Sequence, residues 1–178
     1  MLHLNRIANN GGKVVAHFGA YSSTGGGFSF TSENFICNRQ QDRHTGSDDD
    51  GLSVVMAPPL GDTDWAYFRT SSEEGLKYDA NMSKSLERGL ELTVLGFPLG
   101  LGTNPSYKSI TPQLSRGITT ANGLTNGIIL TTDAGYEEGN SGSPVFYKDS
   151  SGNLIVIGIV SSGVGRSTGF VVPISVIK

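Results

Sequence analysis

The sequence predicts an all-β protein, a barrel or sandwich of many short strands. Three observations predict it. Short runs rich in Val, Phe, Tyr and Thr recur along the chain, punctuated by Gly, Asn, Asp and Pro. Their spacing is regular, as in barrels and sandwiches. Glycine accounts for 25 of the 178 residues, twice the usual share of about 7%. With 37% apolar residues, the chain reads as turn-rich and folded rather than disordered. A chain of this length suits one domain, or two small halves sharing an interface. Folding at this size buries about 70% of the unfolded surface, so no covalent staple is needed.

In order, strands are expected at 13–18 (KVVAHF), 27–31 (GFSFT), 34–38 (NFICN), 52–57 (LSVVMA) and 64–70 (DWAYFRT). Residues 73–89 are polar and carry no continuing apolar stripe. They read as a linker between an N-terminal half, 1–72, and a C-terminal half, 90–178. Strands resume at 90–97 (LELTVLGF), 113–121 (QLSRGITTA), 127–134 (GIILTTDA), 143–148 (SPVFYK), 154–162 (LIVIGIVSS) and 169–174 (GFVVPI). KDSSGN, between two of them, has the residues of a hairpin turn.

Composition narrows the function classes. The net charge is −3 and there is no Lys/Arg run, so no nucleic-acid footprint is expected. No stretch reaches the 18 or so apolar residues of a membrane span. The first twelve residues lack the apolar run of a signal peptide. Cys37 is the single cysteine, so no internal disulfide can form. The expectation is a cytoplasmic or otherwise intracellular protein, although a piece cut from a longer, secreted protein or assembly would look the same. SDDDG (47–51) reads as an acidic solvated turn, with no further ligand pattern after it, so no metal is implied.

The chemistry concentrates in GNSGSP, Gly139 to Pro144. A serine hydroxyl is a weak nucleophile and needs a base, together with donors aimed at the developing oxyanion. Glycine on both sides of Ser141 lets consecutive N–H groups turn into one nest. The N–H groups of Gly139 and Ser141 are the natural oxyanion donors.

Several segments then resemble the chymotrypsin-like (trypsin-fold) serine endopeptidases, nearest in character to the HtrA and glutamyl-endopeptidase branches. GNSGSPVF resembles the nucleophile loop, and GIVSSG (158–163) the strand lining the substrate pocket. LTVLGFPLGLG (92–102) resembles the strand and turn opening the second barrel. TDWAYFRT (63–70) resembles the segment bearing the catalytic aspartate, and GGGFSFTSENFICNRQ (25–40) the hairpin leading to the catalytic histidine. The resemblance covers about residues 13–174. It implies two Greek-key β-barrels with the active-site cleft between them, and no organic cofactor. The order His, Asp, Ser is filled by Asp64 and Ser141 in its last two places. It further implies a specificity pocket with its base near Gly135 and Tyr136 and its walls at Ser161, Ser162, Gly163 and Gly169. The partner is then a protein or peptide substrate, which Ser161 to Gly163 would pair with as an added strand.

The first triad place departs from the pattern. The family's hairpin ends in a sequence like Thr-Asn-x-His-Val, whereas this chain reads Ile36-Cys37-Asn38-Arg39-Gln40-Gln41. Aligning Asn38 with the motif's Asn puts Gln40 at the histidine position. A glutamine can donate to Asp64 and accept from Ser141, but its amide has no useful basicity near neutral pH. Losing one triad member leaves about 10³–10⁴-fold catalysis over water. His44 lies one helical turn beyond Gln40, His17 sits on the first expected strand and His3 is near the start of the chain. Two readings therefore stand: a serine endopeptidase weakened at its base, and a catalytically dead fold kept for peptide or protein binding.

Overall fold

The structure, a computed structural model, describes residues 14–17, 27–30, 35–37, 65–68, 75–99, 112–132, 137–164 and 167–177. Strands Val14–His17 (β1) and Gly27–Phe30 (β2) form one antiparallel pair. Phe35–Cys37 (β3) and Ala66–Phe68 (β4) form another. These two pairs fall in the expected N-terminal half. A closed first barrel, and the strand expected at 52–57, lie outside the described residues.

The second half is a closed six-stranded barrel. Its strands are Glu91–Gly96 (β5), Gln113–Thr119 (β6), Ile129–Thr132 (β7), Pro144–Lys148 (β8), Leu154–Val164 (β9) and Thr168–Pro173 (β10). They run in the order β10-β7-β6-β5-β8-β9, and β9 pairs with β10 to close the ring. β5, β6 and β7 follow one another, then β8 returns to lie beside β5, which is a Greek-key connection.

Alternation in the sequence builds this barrel. In β5, Leu92, Val94 and Gly96 point inward, and Glu91 faces solvent. In β7, Ile129 and Thr131 are the inward pair. The core gathers Leu92, Val94, Ile129, Val145, Ile157, Val160 and Val171, all nearly fully buried. Burying each such side chain contributes about 1.5–3 kcal/mol.

Turn chemistry trims the expected strands. β7 starts only at Ile129, because Asn126 (φ 51°) and Gly127 (φ 81°) form a two-residue turn. Thr125 and Ile128 close it by exchanging N–H donors at 2.8 and 3.1 Å. β9 instead runs two residues beyond its expected end, because Gly163 and Val164 pair with Gly169 and Thr168. In the expected turn KDSSGN, Asp149 Oδ1 accepts from the N–H groups of Ser151 (2.9 Å) and Asn153 (2.8 Å).

The expected linker is laid along the barrel. Val156 N–H donates to Lys77 O at 2.8 Å, and Asp79 N–H donates to Val156 O at 3.0 Å. A 3-10 turn, Met82–Lys84, starts where Asp79 Oδ1 accepts from the N–H groups of Asn81 and Met82. It delivers Leu86, 1% exposed, into the core, with Met82 packed beside it.

Candidate active site

The loop between β7 and β8 carries Ser141, and the barrel grips it from two sides. On the β9 side, Gly142 N–H donates to Val160 O (2.7 Å) and Val160 N–H donates to Ser143 O (2.9 Å). On the β5 side, Leu99 N–H donates to Glu138 O at 2.5 Å. Within the loop, Asn140 N–H donates to Glu137 O and Ser143 N–H to Asn140 O. Gly139 and Gly142 take φ of 97° and 85°, a region that only glycine enters freely. The Asn140 side chain points into the barrel wall and is 1% exposed.

Ser141 itself is exposed. Its hydroxyl donates to the carbonyl oxygen of Ser161 at 3.2 Å. That carbonyl orients the hydroxyl but is no base for its proton. The N–H groups of Gly139 and Ser141 meet no backbone acceptor among the described residues. The peptide joining Glu138 to Gly139 is trans, so its carbonyl and N–H point in opposite directions. Binding the carbonyl to Leu99 therefore turns the Gly139 N–H away from the β5 turn. Two N–H donors beside an exposed hydroxyl are what acyl transfer asks of a backbone.

Of the expected pocket residues, Ser161 is buried, Ser162 exposed and Gly163 half-buried, all on β9, while Gly169 is buried on β10. Gly163 and Gly169 are direct cross-strand partners, and Thr131 of β7 flanks Gly169 on its other side. The structure thus brings Ser141 against Ser161 and sets two of the expected pocket residues in register. Gln40, Asp64, Gly135 and Tyr136 lie outside the described residues, as do His3 and His44. The chain leaves β3 toward Gln40 at the end where it enters β4 from Asp64, because Cys37 pairs with Ala66. Next to Asp64, Trp65 is buried and stacks on Tyr67 with ring centroids 6.0 Å apart.

The sequence reading did not single out Gly96 and Leu99, which touch the loop from the end of β5. Their only signal was the glycine and proline in GFPLG, which mark a turn without naming what it meets. Two side chains on and beside β8 are shifted from their ordinary pKa values. The Tyr147 hydroxyl is raised by burial and by the charges of Asp79 and Asp149. Asp149 is lowered, chiefly by the hydrogen bond from the Asn153 side chain. No group of three or more His, Cys, Asp or Glu suited to a metal occurs among the described residues. No helix among them is long and apolar enough to cross a membrane.

A six-stranded Greek-key barrel with a serine between two left-handed glycines defines a protease-like class of β protein. Residues 10–159 match the family described as trypsin-like peptidase domain, and the chain belongs to that family. Among solved structures, a mutant of human heparin binding protein is similar, with a TM-score of 0.52 at 14% identity. That match covers 93% of this chain and 72% of the other. Another structure of human heparin binding protein has a TM-score of 0.47 at 14% identity, covering 93% and 71%. At this identity the likeness is one of fold. No curated protein matches the chain by sequence.

Proposed function

We propose that this chain is a serine endopeptidase domain that cleaves peptide bonds by acyl transfer through Ser141. The observation that carries the reading is the loop itself. Ser141 is exposed, and the Gly139 and Ser141 N–H groups have no backbone acceptor among the described residues. In this reading those two groups hold the oxyanion, Asp64 orients the base position and Gln40 occupies it. The pocket takes its base from Gly135 and Tyr136 and its walls from Ser161, Ser162, Gly163 and Gly169, as in the HtrA and glutamyl-endopeptidase branches. The substrate is a protein or peptide, bound as an added strand along Ser161 to Gly163.

A second reading rests on the same position. With glutamine in place of a base, the domain keeps its groove and binds peptides without cleaving them. A fluorophosphonate probe separates the two. Labelling of the wild-type chain, lost in Ser141→Ala, establishes Ser141 as the activated nucleophile that the endopeptidase reading requires. Labelling only after Gln40→His establishes a competent site that lacks its base. No labelling of either chain refutes the assignment of Gln40.

A further inference from the structure

Gly96 ends β5 on the inward face of the barrel and is buried. Its φ is not in the left-handed region, so the backbone does not demand glycine there. Space does. A methyl group on Gly96 would overlap Asn140 Oδ1 and Ser143 Oγ, and would approach Asn140 Cγ to 3.1 Å. Asn140 and Ser143 lie on either side of Ser141 and Gly142, and both are buried, at 1% and 9% exposure. The two residues that anchor the nucleophile loop thus share one seat, and the missing side chain of Gly96 is that seat. Three residues further on, Leu99 takes φ 56°, unusual for leucine, and spends its N–H on Glu138 O.

We propose that Gly96 is a positioning residue for Ser141. It touches no reacting atom and acts through Asn140 and Ser143, fixing the height of the loop against β5 while Leu99 fixes the orientation of the Glu138–Gly139 peptide. The catalytic consequence rests on the reading of Ser141 as a nucleophile. A displacement of about 1 Å at a reacting group costs about a hundredfold in rate. The atoms an added methyl group would meet are side-chain ends, but both side chains are buried, so in this proposal a methyl group at Gly96 is accommodated by moving Asn140 and Ser143 with the loop that carries them.

The test uses two variants of the full chain. Gly96→Ala fills the seat, and Asn140→Ala empties it without crowding the barrel. Amide hydrogen exchange is followed at Gly142, whose N–H is bonded to Val160 of β9, at Ser143, whose N–H is bonded to Asn140 in the loop, and at Val94 and Ile157 in the barrel. The expected result is faster exchange at Gly142 and Ser143 in both variants, with Val94 and Ile157 unchanged. Fluorophosphonate labelling is followed in whichever background labels, wild type or Gln40→His, and should fall about a hundredfold. Equal acceleration at all four amides would mean a merely structural glycine and overturns the proposal. So does wild-type exchange at Gly142 and Ser143 in both variants, and so does loosened exchange with unchanged labelling. If neither background labels, the nucleophile reading fails, and the exchange measurement alone decides whether Gly96 seats the loop.

Discussion

Gly158 offers a sharp test of how the barrel is packed. It lies on β9 between Val145 of β8 and Pro173 of β10. Its φ is not left-handed, so only space explains the glycine. A methyl group there would stand 2.5 Å from the carbonyl oxygen of Val172 and 2.6 Å from Val171 Cγ1. The valine carbon belongs to a side chain that can rotate, but the oxygen belongs to the backbone of β10. Making room therefore means separating β9 from β10, the seam that closes the ring. Overpacking costs about 1–3 kcal/mol, and a backbone obstacle puts Gly158→Ala in the upper half, about 2–3 kcal/mol. For a chain of this size that lowers the melting temperature by about 4–12 °C. Gly75→Ala is the control, because nothing lies within 4 Å of its added methyl and its φ is ordinary. It should leave stability unchanged or raise it by up to about 1 kcal/mol through the unfolded chain. Circular dichroism melts, with urea titrations to check that the m-value holds, measure both. A Gly158→Ala melt within about 1 °C of wild type, or equal losses in the two variants, refutes the close approach.

Further outcomes follow from other contacts. Thr119 is fully buried, and its Oγ1 accepts from Leu90 N–H at 2.9 Å while donating to Glu87 O. Thr119→Val should cost about 1 kcal/mol in urea unfolding, because it removes both bonds and leaves Leu90 N–H and Glu87 O only their mutual contact at 3.4 Å. Leu92→Ala, at a fully buried core position, should cost about 2–5 kcal/mol by the same measurement. The Arg116–Glu91 pair spans 3.5 Å with both side chains about two-thirds exposed, so a double-mutant cycle should return less than about 1 kcal/mol. Asp149 is held below the ordinary aspartate value, first by the Asn153 side chain and then by the Asn153 N–H. Its folded form therefore favours the carboxylate, and its share of stability is present above the unfolded aspartate pKa and lost as pH falls through the lower folded value. An NMR titration of Asp149 should show a midpoint below that of its Asn153→Ala variant.

The fold was legible where the signal is local. β5, β8 and β9 show in the sequence as apolar runs, and KDSSGN as a hairpin, because alternation and turn residues act on near neighbours. The polar stretch 73–89 hid its contribution. Leu86 and Met82 make no periodic stripe, yet both pack into the core. At the site, the glycines around Ser141 announced the loop because a left-handed φ is a property of single residues. Gly96 stayed silent because its role depends on residues more than forty positions away, which no local pattern records. Gln40 and Asp64 were read from a resemblance, and the described structure reaches only the strand ends that lead to them.

The closed ring also sets an order of events in folding. β7 and β10 must meet across the whole stretch that contains the Ser141 loop, β8 and β9. Such distant pairings make a chain slow to fold, on the scale of milliseconds to seconds. The loop's holds differ: Val160 on β9 extends the β8–β9 hairpin, whereas the Leu99 contact joins Glu138 to a residue before β6. A chain in which β5 has not yet paired thus has the serine without the contact that orients the Glu138–Gly139 peptide. If Ser141 acts as proposed, the oxyanion side of its loop is set by that long-range contact and is complete only once β5 has joined the barrel.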